Sequence, residues 1–130
     1  MFDKLEKHHI GYIIPKEEQN KVEERIGKKF HFDAIQQTHV LFDYDGSLRM
    51  YTEYICQEGR VAKQKPGFAH ICYNVNSPRE LEEIERNIRE HKLGYSLTEL
   101  EKSGSEECGY IKFYFIKNHG VIELNLRSEN

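Results

Sequence analysis

Four residues carry the chemistry this sequence offers: His9, Glu53, His70 and Glu123. The two histidines open similar β-type runs, HIGYII at 9–14 and HICYNV at 70–75. The two glutamates sit inside apolar runs, MYTEYIC at 50–56 and VIELNLR at 121–127. Side chains alternate across a strand, so Ile71, Tyr73 and Val75 share one face while His70, Cys72 and Asn74 share the other. By the same alternation Ile122, Leu124 and Leu126 are apolar neighbours and Glu123 lies opposite, on the side of His70 if the two strands share a sheet. The first half repeats the arrangement, with Ile10, Tyr12 and Ile14 on one row, His9 on the other, and Glu53 at the matching place in the last strand. A lone carboxylate between Ile122 and Leu124 is costly to bury. A divalent cation offsets that cost, and a set of two imidazoles and two carboxylates suits zinc, nickel, cobalt or iron(II), with two octahedral positions left for water or a substrate oxygen pair.

The elements that must position these residues come in an order that occurs twice. HIGYII ends at Pro15, and a helix over KEEQNKVEERIG closes on Gly27 with a thin apolar face of Val22 and Ile26. Strands follow at 30–35, 38–44 and 48–56, the last two joined by an Asp45-Gly46 turn. After a polar linker, QEGRVAKQKPG at 57–67, the strand FAHICYNV at 68–75 leads into the clearest helix of the chain, 77–92. Ser77 is its expected N-cap, Pro78 its first-turn residue, Glu80 the completion of a capping box and Gly94 its stop. Leu81, Ile84 and Ile88 form its buried stripe. A short extended run near YSLTEL, the strand 109–117, a His119-Gly120 turn and the strand 121–127 complete the half.

Each half therefore reads βαβββ, a duplication. The expected fold is α+β: one domain over 1–130, with module 1 at about 1–58, a linker at about 57–67 and module 2 at about 68–130, the modules pairing into a cupped mixed sheet around a metal site. Half a chain of this length buries too little surface to be stable alone, which favours pairing. A single ferredoxin-like domain with extra strands is the alternative.

Bulk properties narrow the function. A net charge of −3 from 19 basic and 22 acidic side chains leaves no electrostatic footprint for nucleic acid. No apolar run approaches the length of a bilayer span, and MFDKLEKHHI has no signal-peptide core, so a cytoplasmic protein without membrane partners is expected. Cys56, Cys72 and Cys108 are odd in number and lack CxxC spacing, which reads as three reduced thiols. His8, His31, His39, His91 and His119 have no matched carboxylate and read as surface or turn residues.

HHIGYII, YTEYI, FAHICYNV and GVIELNL, in this order and spacing, resemble the strands that open and close the two modules of the vicinal oxygen chelate superfamily, which includes glyoxalase I, methylmalonyl-CoA epimerase, extradiol dioxygenases and bleomycin-resistance proteins. The likeness spans nearly the whole chain. It implies one divalent ion (nickel, zinc or cobalt) held by His9, Glu53, His70 and Glu123, with His9 preferred to His8 because the ligand precedes an aliphatic residue and glycine, as in His9-Ile10-Gly11. Epimerase-like members usually carry glutamine at the second ligand and bacterial-type glyoxalase I carries glutamate, so Glu53 implies a glyoxalase I-like lyase. Such an enzyme isomerises a 2-oxoaldehyde–thiol hemithioacetal through a metal-bound enediolate, with Glu123 as first choice and Glu53 as second for the base. The compact first module and the GVIELN ending look instead like a methylmalonyl-CoA epimerase-like isomerase, and a metal-free drug-binding protein is a third reading. The expected partner is a thioester or hemithioacetal, with no separate organic-cofactor site, and a homodimer is the expected assembly. Arg49, Arg60, Lys63 and Lys65 read first as a solvated linker and second as partners for the anionic tail of the substrate.

Overall fold

The computed structural model describes residues 2–127; the expected outer limits at residues 1 and 130 lie outside them. The fold is α+β, with nine strands and two α-helices among the described residues. Two compact units share the chain: residues 9–69 form one, and the N-terminal segment through His8 joins residues 70 onward in the other. The division falls inside the first strand, between the adjacent residues His8 and His9.

Residues 9–69 hold most of β1 (Lys7–Ile14), α1 (Gln19–Ile26), β2 (His31–Asp33), β3 (Thr38–Asp45) and β4 (Met50–Cys56). The strand order is β2-β3-β4-β1, with β4 parallel to β1 and the other pairs antiparallel. A single 3₁₀ turn, Lys16–Glu18, precedes α1 where the sequence suggested continuous helix, because Pro15 enters with extended geometry and no side chain caps the start. Gly27 ends α1 in the left-handed region at φ 80°, as the sequence led us to expect. Val22, Phe30, Leu41 and Cys56 make the core of this unit, with Ile14, Ile26 and Tyr54 packed against it. The row Ile10, Tyr12, Ile14 is less uniform than expected: Ile14 joins the core, whereas Tyr12 is exposed and meets Phe68 edge-on.

The second unit holds β5 (Gly67–Val75) from His70 onward, α2 (Pro78–Glu90), β6 (Gly94–Ser96), β7 (Glu101–Lys102), β8 (Tyr110–Ile116) and β9 (Gly120–Leu126). Its strand order, β6-β8-β9-β5, repeats that of the first unit, again with one parallel pair, β5 with β9; β7 is an addition paired to β8. Leu81, Ile84 and Ile88 of α2 pack on Tyr73, Val75, Tyr114, Ile116, Ile122, Leu124 and Leu126. Each of the three helix residues contributes about 2 kcal/mol of burial, which outweighs the weak intrinsic stability of a three-turn helix.

Two local expectations change. Gly94 does not stop α2: the helix ends at Glu90, His91 caps it, and Lys92 makes the reversal at φ 52°. Gly94 instead begins β6 against Phe115, whose carbonyl oxygen would lie 1.9 Å from any added Cβ, so close strand pairing is what demands glycine. The polar segment 57–67 is also more than a spacer. It contains a 3₁₀ turn, Gly59–Val61, with Val61 buried and the Arg60 N–H donating to the Gln36 carbonyl at 3.2 Å. Gly59 has φ +59°, and a Cβ there would strike the Gln37 carbonyl oxygen at 1.7 Å.

Candidate functional site

Parallel pairing creates a His–Glu pair in each unit by the same register. In residues 9–69, Gly11 of β1 lies opposite Glu53 of β4. Residues two apart share a strand face, so His9 and Glu53 project to the same side. His9 Nε2 is 3.2 Å from Glu53 Oε1, and the two side chains are 0% and 2% exposed. In the other unit Cys72 of β5 lies opposite Glu123 of β9, again two residues past the histidine. His70 Nε2 is 3.0 Å from Glu123 Oε1, both side chains 4% exposed. Within each unit the structure thus brings together the histidine and glutamate that alternation had placed on one side.

Each imidazole also meets a phenylalanine that the sequence did not single out. Phe42 of β3 is the register partner of Glu53 and stands edge-to-face with His9, centroids 5.1 Å apart and planes at 86°. Phe113 of β8 is the register partner of Glu123 and stands in the same relation to His70, at 5.3 Å and 88°. Such contacts fix ring planes and keep water from the imidazole.

A second unforeseen feature lies behind Glu53. The buried Asp33 closes a turn: its Oδ1 accepts the N–H groups of Ile35 at 2.9 Å and Gln36 at 3.3 Å. Gln36 Nε2 then donates both to Asp33 Oδ2 at 3.1 Å and to Glu53 Oε2 at 3.0 Å. The sequence signal was faint, an Asp-x-x-Gln turn before a β-run.

Burying two carboxylates beside imidazoles is expensive, and buried ion pairs often fail to repay their desolvation. Two such pairs at equivalent register positions are therefore hard to explain as stabilising devices. Neutral imidazole nitrogen and carboxylate oxygen are the donors that bind first-row divalent ions.

Of the remaining histidines, His8 departs from expectation. It is buried rather than superficial, with Nε2 2.8 Å from the carbonyl oxygen of Glu107, because alternation turns it to the face opposite His9. His39 is partly buried, its ring Nδ1 2.7 Å from Glu58 Oε1; His31 is also partly buried, while His91 and His119 are exposed. Arg49, Arg60, Lys63 and Lys65 are exposed. Cys56, Cys72 and Cys108 form no disulfide. Burial pushes the Cys56 thiol up to about 11, with the nearby Glu58 carboxylate adding to the shift, so it stays protonated and is not a nucleophile at neutral pH. Burial also raises Tyr73 and Tyr114, the latter further by its hydrogen bond to Glu85 Oε2 at 2.9 Å.

No protein-family model matches the sequence, and no curated protein matches it significantly. Solved structures do match over nearly the full length. A hypothetical protein from Bacillus halodurans C-125 superposes with TM-score 0.71 at 17% identity, covering 98% of this chain and 97% of that one. Methylmalonyl-CoA epimerase from Mycobacterium tuberculosis gives 0.70 at 14% identity, covering 95% and 88%. The Streptomyces coelicolor methylmalonyl-CoA epimerase, in complex with 2-nitronate-propionyl-CoA, gives 0.64 at 19% identity, covering 96% and 99%. The chain has the vicinal oxygen chelate fold. At these identities the likeness concerns the fold, and the vicinal oxygen chelate fold supports several chemistries. Among the described residues, no helix is long and apolar enough to cross a membrane.

Proposed function

We propose that the chain is a metal-dependent isomerase of the epimerase kind, removing a proton from the carbon next to a thioester carbonyl. The observation that carries this reading is the repeated buried His–Glu pair, 3.2 Å in one unit and 3.0 Å in the other. In this proposal His9, Glu53, His70 and Glu123 ligate one divalent ion, as the sequence led us to expect. The fit is chemical. Two carboxylates balance a divalent charge, and two neutral imidazoles suit zinc, nickel or cobalt better than magnesium. A divalent ion bound there would supply Lewis-acid stabilisation for the negative charge that develops on the carbonyl oxygen as the α-proton leaves.

The protein's own residues do the rest. His9 and His70 present Nε2, with Phe42 and Phe113 holding their ring planes. Glu123 is the base: its carboxylate takes the α-proton and becomes a carboxylic acid, while the C–H electron pair moves into the carbonyl system. Inversion is completed when a second acid donates a different proton to the opposite face, and the proton taken by Glu123 is lost to solvent. Structural likeness to epimerases supports this reading over the glyoxalase I-type lyase that Glu53 suggested from the sequence. The lyase remains the second reading, favoured by that carboxylate at position 53. We place the protein in the cytoplasm as a homodimer, acting on a CoA thioester in the first reading and on a hemithioacetal in the second.

The test is α-proton exchange. Cobalt- or nickel-loaded protein in D2O is expected to introduce deuterium at C2 of methylmalonyl-CoA, followed by mass spectrometry. Glu123→Gln is expected to lower that rate by about a thousandfold. Turnover of the methylglyoxal–glutathione adduct without exchange on the thioester would make the protein a lyase. Absence of both reactions, together with no metal uptake, would leave the drug-binding reading.

A further inference from the structure

We propose that the Asp33–Gln36 bracket requires a carboxylate, and rejects an amide, at position 53, making Glu53 a fixed anionic ligand; this rests on the metal centre proposed above. Gln36 Nε2 has two N–H groups, and both are used: one on Asp33 Oδ2 at 3.1 Å, one on Glu53 Oε2 at 3.0 Å. Both partners are carboxylates, which when ionised only accept. The orientation of the Gln36 amide is therefore dictated by its neighbours, since turning it over would aim its oxygen at two carboxylate oxygens. Asp33 is itself immobile, 1% exposed and tied to the N–H groups of Ile35 and Gln36.

With the amide locked as donor, the side chain at 53 must accept on its outer oxygen while its inner oxygen, Oε1, faces His9 Nε2. A carboxylate meets both demands. A glutamine cannot: if its oxygen faces the metal side, its NH2 confronts the Gln36 NH2, and a buried donor–donor contact leaves both unsatisfied. If its oxygen faces Gln36, the NH2 points at the metal side and ligation is lost. Gln36 is thus a positioning residue that selects the chemical type of a ligand it does not replace.

The experiment is a double-mutant cycle read by cobalt(II) affinity, measured by competition with a chromophoric chelator, together with the melting temperature of the metal-free proteins. Gln36→Leu is expected to weaken cobalt binding roughly tenfold, the scale of lost support behind a ligand. Glu53→Gln is expected to weaken it by more. The double variant E53Q/Q36L is expected to bind no more weakly than E53Q alone, because removing the donor at 36 relieves the mismatch and frees the glutamine to present its oxygen. Equal metal-free melting temperatures for E53Q and the double variant would assign the rescue to ligation and not to folding. Multiplicative losses in the double variant, or unchanged affinity in Q36L, would overturn the inference while leaving the metal centre intact. A wild-type protein that takes up no cobalt would overturn both.

Discussion

Glu58 shows at the level of one residue how this chain manages a carboxylate away from the His–Glu pairs. Its Oε1 accepts from the His39 ring at 2.7 Å and from the His39 N–H at 3.1 Å, and its Oε2 pairs with Lys16 at 3.0 Å. These bonds, the His39 side chain foremost, hold the carboxyl at about 2, against 4.5 in an unstructured chain. The folded value is depressed, so its contribution is complete above pH 4.5 and drains away as pH falls through 2. Glu58→Gln is expected to destabilise by about 1 kcal/mol at pH 6, a figure discounted because solvent screens the Lys16 pair. The difference should shrink steadily from pH 4.5 downward and vanish below pH 2, read from urea unfolding at several pH values. Glu53 and Glu123 differ from Glu58 in kind, since each is buried beside an imidazole at a repeated register position. Alternation was enough to pick both out. It could not reveal Gln36, whose role depends on a turn folding a side chain seventeen positions upstream onto Glu53.

At the scale of elements, α2 was the most legible part of the sequence, because capping, stripe and length agreed. Ser77 Oγ accepts from the Glu80 N–H at 3.1 Å as expected, while Glu80 Oε1 reaches one residue further back, accepting from the Asn76 N–H at 2.9 Å. Ser77→Ala is expected to cost about 1 kcal/mol, checked by chemical denaturation. Its C-terminus was misread because a glycine after a helix is normally a cap, and only strand pairing shows that Gly94 answers to Phe115. Pleat alternation located His9, His70, Glu53 and Glu123 on their faces for a simple reason: a period of two allows only two faces. The same rule hides cross-strand partners, since Phe42 and Phe113 meet the histidines through register, which no local pattern encodes.

At the scale of the whole chain, duplication is the dominant fact. Two units with the same strand order each place one histidine two residues before the partner of one glutamate. An ion bound as proposed stabilises the native chain by linkage, by about 2.7 kcal/mol at a hundredfold excess over the dissociation constant. Removing metal with a chelator is then expected to lower the melting temperature by several degrees, with recovery on adding cobalt. A melting temperature indifferent to both treatments would count against a bound ion.

By itself the sequence determined the α+β class, the repeated βαβββ order, the apolar face of α2 and the side of each strand on which its histidine or glutamate lies. These follow from periods of 2 and 3.6 and from capping chemistry, all written within a few residues. Tertiary structure alone decided that His9 meets Glu53 and His70 meets Glu123, that a phenylalanine stands against each imidazole, and that Gln36 reaches Glu53. Those contacts join residues far apart in the chain, and strand register, set by the packing of whole elements, is what brings them within bonding distance.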